Sequence, residues 1–213
     1  MRFADTAALK TAMIYASEAI IAAEPELTRI DSVIGDGDHG IGMKTGFSVL
    51  REKLAETSFS SPYELFHTIG LCLVKFMGGS SGVLFGTLFI SGLDVIKGKE
   101  SLNGTDMAAF LTKGIQGVIR RGRAKPGDKT MVDALLPAQL AMESAMELTD
   151  DIGEVLKAAE AGALNGVEAT KNMVARLGRS KNFREQVLGW PDPGAISVSI
   201  LLGGLAKSLS REV

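Results

Sequence analysis

Apolar residues recur at three- and four-residue spacing along nearly the whole chain, the pattern of helices with one buried face. Leu9, Met13, Ala16 and Ile20 mark a first helix that stops near Glu24-Pro25. A second runs from about His39 to Glu56, with Met43, Phe47 and Leu50 inward. The third opens at "SPYE", with Ser61 as N-cap, Pro62 at the first helical position and Glu64 closing a capping box; it ends at Gly78-Gly79. A fourth spans roughly Ser81 to Lys97, and a fifth begins after Thr105 and fades at "RRGR". The sixth starts near Lys129 and contains Pro137, whose ring removes a backbone bond or kinks the helix. The seventh follows Thr149, with Asp150 and Asp151 suiting a helix start, and extends toward Arg176. A glycine- and proline-bearing loop leads to the eighth, Gly194 to about Leu209, where the β-branched "ISVSILL" leaves a strand as the alternative.

The expectation is therefore an all-α fold of eight helices, with no linker to divide the single domain over residues 1–213. Four glycine-rich or acidic stretches precede the even-numbered helices: "GDGDHG" (Gly35 to Gly40), "GGSSG" (Gly78 to Gly82), "KPGDKT" (Lys125 to Thr130) and "PDPGA" (Pro191 to Ala195). Short connections make sequential helices antiparallel, so in an up-down array all even-numbered N-termini share one end. The four stretches should meet there and form one site.

That end suits an anion. Helix N-termini carry unpaired N–H groups and about half a positive charge each, and glycines let the backbone approach closely. Ser80, Ser81, Lys129 and Thr130 add donors, and Arg179 can reach the same end with a planar fork. Asp31, Asp36 and Asp38 crowd the first loop. Carboxylates beside phosphate repel it unless divalent ions bridge them, and Mg²⁺ takes carboxylates together with phosphate oxygens. A diphosphate at about −3 with three aspartates totals about −6; two Mg²⁺ and four helix N-termini roughly balance it. The simpler alternative has Asp36 and Asp38 merely complementing a helix dipole.

Other signals narrow the field. With 46% hydrophobic and 23% charged residues the chain reads as globular, and a net charge of −2 offers no basic surplus for nucleic acid or an anionic membrane. The longest apolar run, "AISVSILLGGLA", is about 12 residues, too short to span a bilayer. One cysteine, Cys72, excludes an internal disulfide and reads as a buried apolar residue; no secretory signal is evident, and a cytoplasmic location is expected. "GDGDHG" matches G-x-G-x-x-G, but its variable positions are acidic and no βαβ pattern surrounds it. An EF-hand from Asp36 fails because Phe47 stands where the bidentate acid belongs. His39 is a candidate ligand contact, His67 reads as structural, and Trp190 walls a base pocket or simply packs.

With "GDGDHG", "GGSSGVLFGT", "KPGDKTMVDAL" and "PDPGA" in this order, the chain resembles the ADP-binding L subunits of bacterial dihydroxyacetone kinases. The resemblance implies an eight-helix antiparallel barrel holding ADP (or ATP) and two Mg²⁺ at one end. It carries the metal ligands to Asp31, Asp36 and Asp38. It carries nucleotide contacts to His39, Gly40, Ser80, Ser81, Gly122, Met131, Arg179, Asp192, Pro193 and Gly194, beside the donors Lys129 and Thr130 already read from the loops. Two departures stand out: Gly42 in "HGIGM" where relatives often have Asn, and the altered loop "GRSKNFREQVLGW".

The implied function is phosphoryl transfer from a phosphohistidine carrier or ATP to dihydroxyacetone or a related ketose. In the family the sugar is held by a separate subunit, so a companion sugar-binding subunit and a phosphohistidine carrier are the expected partners, with room left for a homodimer. The alternative from a different class is a nucleotide-loaded regulatory module acting on a transcription factor.

Overall fold

The computed structural model describes residues 3–210; residues 1–2 and 211–213 of the expected domain lie outside the described residues. The chain is mostly helical, with ten α-helices and one pair of two-residue strands among the described residues. Those strands, β1 (Ala4–Asp5) and β2 (Ser101–Leu102), pair antiparallel, Ala4 opposite Leu102.

Helix α1 (Thr6–Ala22) is capped by Asp5, whose Oδ1 accepts from the Ala8 N–H at 2.8 Å. It ends where expected. Pro25, however, is not a stop: it lies in the first turn of α2 (Glu24–Ile34), where its missing N–H costs nothing because that group has no helical partner anyway. The segment after Pro25 is thus a helix of its own, and it carries Asp31.

Helix α3 (His39–Glu56) matches expectation, as does α4 (Pro62–Phe76), whose cap differs in one detail. Ser61 Oγ accepts from the Glu64 N–H, but Glu64 Oε2 reaches back to the N–H and hydroxyl of Ser60. The expected fourth helix is two, α5 (Gly79–Ile90) and α6 (Leu93–Ile96), broken at Ser91–Gly92. Gly92 lies against α7 (Gly104–Gly122) so closely that a Cβ there would stand 2.3 Å from the Phe110 carbonyl oxygen. Helix α8 (Val132–Met146) starts later than expected because Lys129 sits at a left-handed φ of +59°. Helix α9 (Ile152–Thr170) stops short of Arg176, and a short 3-10 segment (Ser180–Val187) fills part of the following loop. The last segment is helical, α10 (Pro193–Leu209), not a strand: Asp192 caps it by accepting from Ala195 N–H at 2.8 Å.

Helix α1 packs on α3, α3 on α4, α4 on α5, α5 on α7, α7 on α8, α8 on α9, α9 on α10, and α10 back on α1. Small residues permit the tightest crossings: a side chain at Gly204 would meet Ala16 Cα at 2.5 Å. Inside lies a continuous apolar core in which Phe66 stacks against Phe89 and meets Phe110 at a tilt, with ring centroids 5.9 and 4.6 Å away. Gly79–Ile96 is long and apolar enough, by length and composition, to cross a membrane. Here it lends Phe85, Leu88 and Phe89 to that core. The N-termini of α3, α5, α8 and α10 meet at one end and surround a cavity.

Candidate functional site

The cavity measures about 550 Å³. One part of its wall is polar: Asp31, Asp36 and Asp38, then His39, Ser80 and Ser81. Another part is apolar, built by Leu84, Val118, Met131 and Leu177. Thr130, Gly178, Arg179 and Asp192–Gly194 line the space as well. All four special loops contribute.

The acidic loop is held by its glycines. Gly37 sits at φ +76°, and a Cβ at Gly35 would fall 2.2 Å from Asp31 Oδ1. Asp31 is buried on α2, and its Oδ2 accepts the His39 N–H at 3.1 Å. Asp38 occupies the N-cap position of α3 yet makes no side-chain cap bond, which speaks against the simple dipole-complement alternative. Each of the three carboxylates offers an oxygen within 4.8 Å of the others. Asp38 is pushed above the usual carboxylate range, first by burial and then by repulsion from Asp36 and Asp31, with Arg179 acting against it. Arg179 Nε stands 2.8 Å from Asp36 Oδ2, an exposed pair that offsets part of the crowding. A cluster of hard oxygen donors that repel one another fits Mg²⁺.

Burial lowers the pKa of His39, so its ring tends to stay neutral. It is held from both sides: Nε2 is 2.9 Å from Ser197 Oγ and Nδ1 is 3.3 Å from Ser81 Oγ. Gly78 and Gly79, at φ +73° and +58°, shape the turn into α5 and leave its first N–H groups at the cavity.

Several expectations change. Gly40 does not line the cavity; it packs α3 on α2, where a Cβ would meet the Glu24 carbonyl at 2.6 Å. Lys129 is at the wall, but its ammonium is turned away and donates to the carbonyls of Thr170 and Trp190. Trp190 is not part of the cavity wall: it belongs to a small core with Ile30, Ile34 and Val187, with the Arg29 guanidinium 5.5 Å above its ring. Sequence reasoning missed Arg121 and the apolar wall of Leu84, Val118 and Leu177. It also passed over Asp133, whose carboxylate accepts the N–H groups of Gly127 and Thr130 at 2.6 and 2.9 Å and holds the "KPGDKT" loop. An acid three residues after Thr130, at the start of a helix, was the available signal.

The DAK2 domain family matches residues 33–207. The chain belongs to the DAK2 domain family. It is 37% identical over 180 residues to the ADP-binding subunit DhaL of the PEP-dependent dihydroxyacetone kinase of Escherichia coli, covering 84% of this chain and 86% of that one. It is 32% identical to the L-erythrulose kinase of Pectobacterium atrosepticum, covering 92% of this chain but 34% of the relative. Its fold superposes on the crystal structure of the dihydroxyacetone kinase from C. freundii in complex with AMP-PNP and Mg2+, with a TM-score of 0.76 and 26% identity. That likeness covers 96% of this chain and 34% of the other. Each of these relatives is a kinase or a kinase subunit, and phosphotransfer is the activity class of this DAK2 chain.

Proposed function

We propose that this chain is the nucleotide-binding subunit of a dihydroxyacetone-type kinase, a single cytoplasmic domain whose cavity holds ADP or ATP with two Mg²⁺. The observation that carries the reading is the meeting of three close carboxylates, four helix N-termini and an apolar wall in one cavity. Asp31, Asp36 and Asp38 hold the metal. The N–H groups at the start of α5, with Ser80, Ser81, Thr130 and Arg179, surround the phosphates, and Gly122, Met131 and Asp192–Gly194 flank the nucleotide. Leu84, Val118 and Leu177 receive the base. Bound Mg²⁺ supplies positive charge to the phosphate oxygens during transfer. The closure of α10 on α1 supports an eight-helix up-down barrel, with α2 and α6 as additions to it.

The acceptor, dihydroxyacetone or a related ketose, arrives on a companion subunit, and the phosphate comes from a phosphohistidine carrier or from ATP. Neither histidine of this chain is placed to trap a carbonyl. The His39 ring is held between Ser81 and Ser197, and His67 lies on α4 stacked with Tyr63. The purified chain with ATP and free dihydroxyacetone should therefore show no turnover, and adding a sugar-binding subunit and carrier should produce it. Robust turnover by this chain alone would overturn the separate-subunit reading.

A further inference from the structure

Lys129 carries a charge that the proposed chemistry does not use. It is 1% exposed and sits at φ +59°, a conformation lysine rarely adopts. A buried ammonium is costly unless its protons find partners. Here Nζ donates to the Thr170 carbonyl at 2.6 Å and the Trp190 carbonyl at 2.5 Å, with the carboxylates of Asp192 and Asp133 nearby.

These partners are specific places in the fold. Thr170 is the last residue of α9; its carbonyl accepts the Met173 N–H at 3.1 Å from the turn that follows, and a cation there also meets the negative end of the helix dipole. Thr170 Oγ1 in turn accepts the Asp192 N–H at 3.0 Å, and Asp192 caps α10. Trp190 stands two residues before that cap. On the other side, Thr130 and Met131 follow Lys129 directly and line the cavity, as do Asp192, Pro193 and Gly194. One side chain ties the end of α9, the loop into α10 and the loop into α8 together.

We propose that Lys129 is a positioning residue for the nucleotide site: its ammonium clamps the carbonyls of Thr170 and Trp190 and so fixes Thr130–Met131 relative to Asp192–Gly194. It does this without touching the nucleotide. The proposal rests on the reading of the cavity as a nucleotide site. The clamp needs both length and donors. Methionine has the length but removes the donor that joins the two carbonyls, leaving Thr170 with its Met173 N–H alone, and glutamine keeps two N–H groups on a shorter stem.

The test uses nucleotide-stripped full chain and the variants Lys129→Met and Lys129→Gln. Calorimetry measures ADP affinity in saturating Mg²⁺, and Mn²⁺ resonance measures cation binding without nucleotide. ADP affinity should fall at least tenfold in Lys129→Met and less in Lys129→Gln. Mn²⁺ affinity should stay within twofold, because Asp31 on α2 and Asp36 and Asp38 in the loop between α2 and α3 are not held by the clamp. An ADP affinity within twofold of the parent in a folded Lys129→Met would overturn the proposal. So would parallel loss of ADP and Mn²⁺ binding, which signals general damage. Failure of both variants to fold would overturn it too, since Lys129 would then hold the fold and not the pocket. A parent chain that takes up Mn²⁺ but no ADP would refute the nucleotide reading itself, and the clamp would fall with it.

Discussion

Replacing Asp192 by asparagine should change how the stability of the nucleotide-free protein depends on pH. The Asp192 carboxyl is buried and its pKa is pushed up to about 7, chiefly by burial, with the Ala195 N–H and Lys129 pulling it down and Asp133 and Asp31 adding repulsion. An unfolded aspartate titrates near about 3.9. The folded state therefore holds this proton more tightly. The stability it contributes is complete below about pH 3.9 and is lost as pH rises through about 7. Between about pH 5 and about pH 8 that loss is about 2.5 kcal/mol, or roughly 5–10 °C in Tm for a chain of this size. Asparagine keeps an oxygen for the Ala195 N–H and carries no titrating proton, so the variant should lack this decline. Scanning calorimetry of both proteins across that range isolates the effect, because most other titrating groups cancel in the difference. Parallel pH profiles, or a parent that gains stability relative to the variant as pH rises, would refute the argument.

Asp36→Ala or Asp38→Ala should leave the Tm of the nucleotide-free protein level or raised, since each relieves repulsion in the cluster, while the stabilisation given by ADP and Mg²⁺ disappears. A variant that melts early yet keeps full activity in the reconstituted system would show these aspartates to be structural. Arg179→Ala should weaken phosphoryl transfer by about 1.5–3 kcal/mol through loss of a charge-assisted contact, and should barely move the Tm, because the Arg179–Asp36 pair is exposed. Reconstituted kinetics beside a thermal melt separate the two effects.

Much of the architecture was legible because helix periodicity and short connections leave few alternatives. The parity of the helices alone placed the "GDGDHG", "GGSSG", "KPGDKT" and "PDPGA" loops at one end, and they do line one cavity. The errors arose where a residue has two opposite local meanings. A proline after a helical run can mark a stop or the first turn of a new helix, and Pro25 is the second: α1 has already ended at Ala22. Gly92 looks tolerable inside an apolar helix until the Phe110 backbone is found against it. Lys129 followed the same logic. A lysine in a glycine-rich loop reads as a phosphate donor, whereas its partners, the end of α9 and Trp190, lie 41 and 61 residues away and leave no local trace. The apolar wall was hidden because Leu84 and Val118 share the helical spacing of core residues and Leu177 stands in the loop after α9, where no periodicity marks it.

In the proposed function the acidic cluster and the helix N-termini together hold a metal-bridged nucleotide. Mass spectrometry of the purified chain, denatured after extensive dialysis in Mg²⁺, tests it most directly, with a parallel sample dialysed against a chelator. ADP should be released from the first sample and not from the second, because without the cation Asp31, Asp36 and Asp38 repel the phosphates. Equal nucleotide content in both samples, or none in either after incubation with ADP and Mg²⁺, would contradict it.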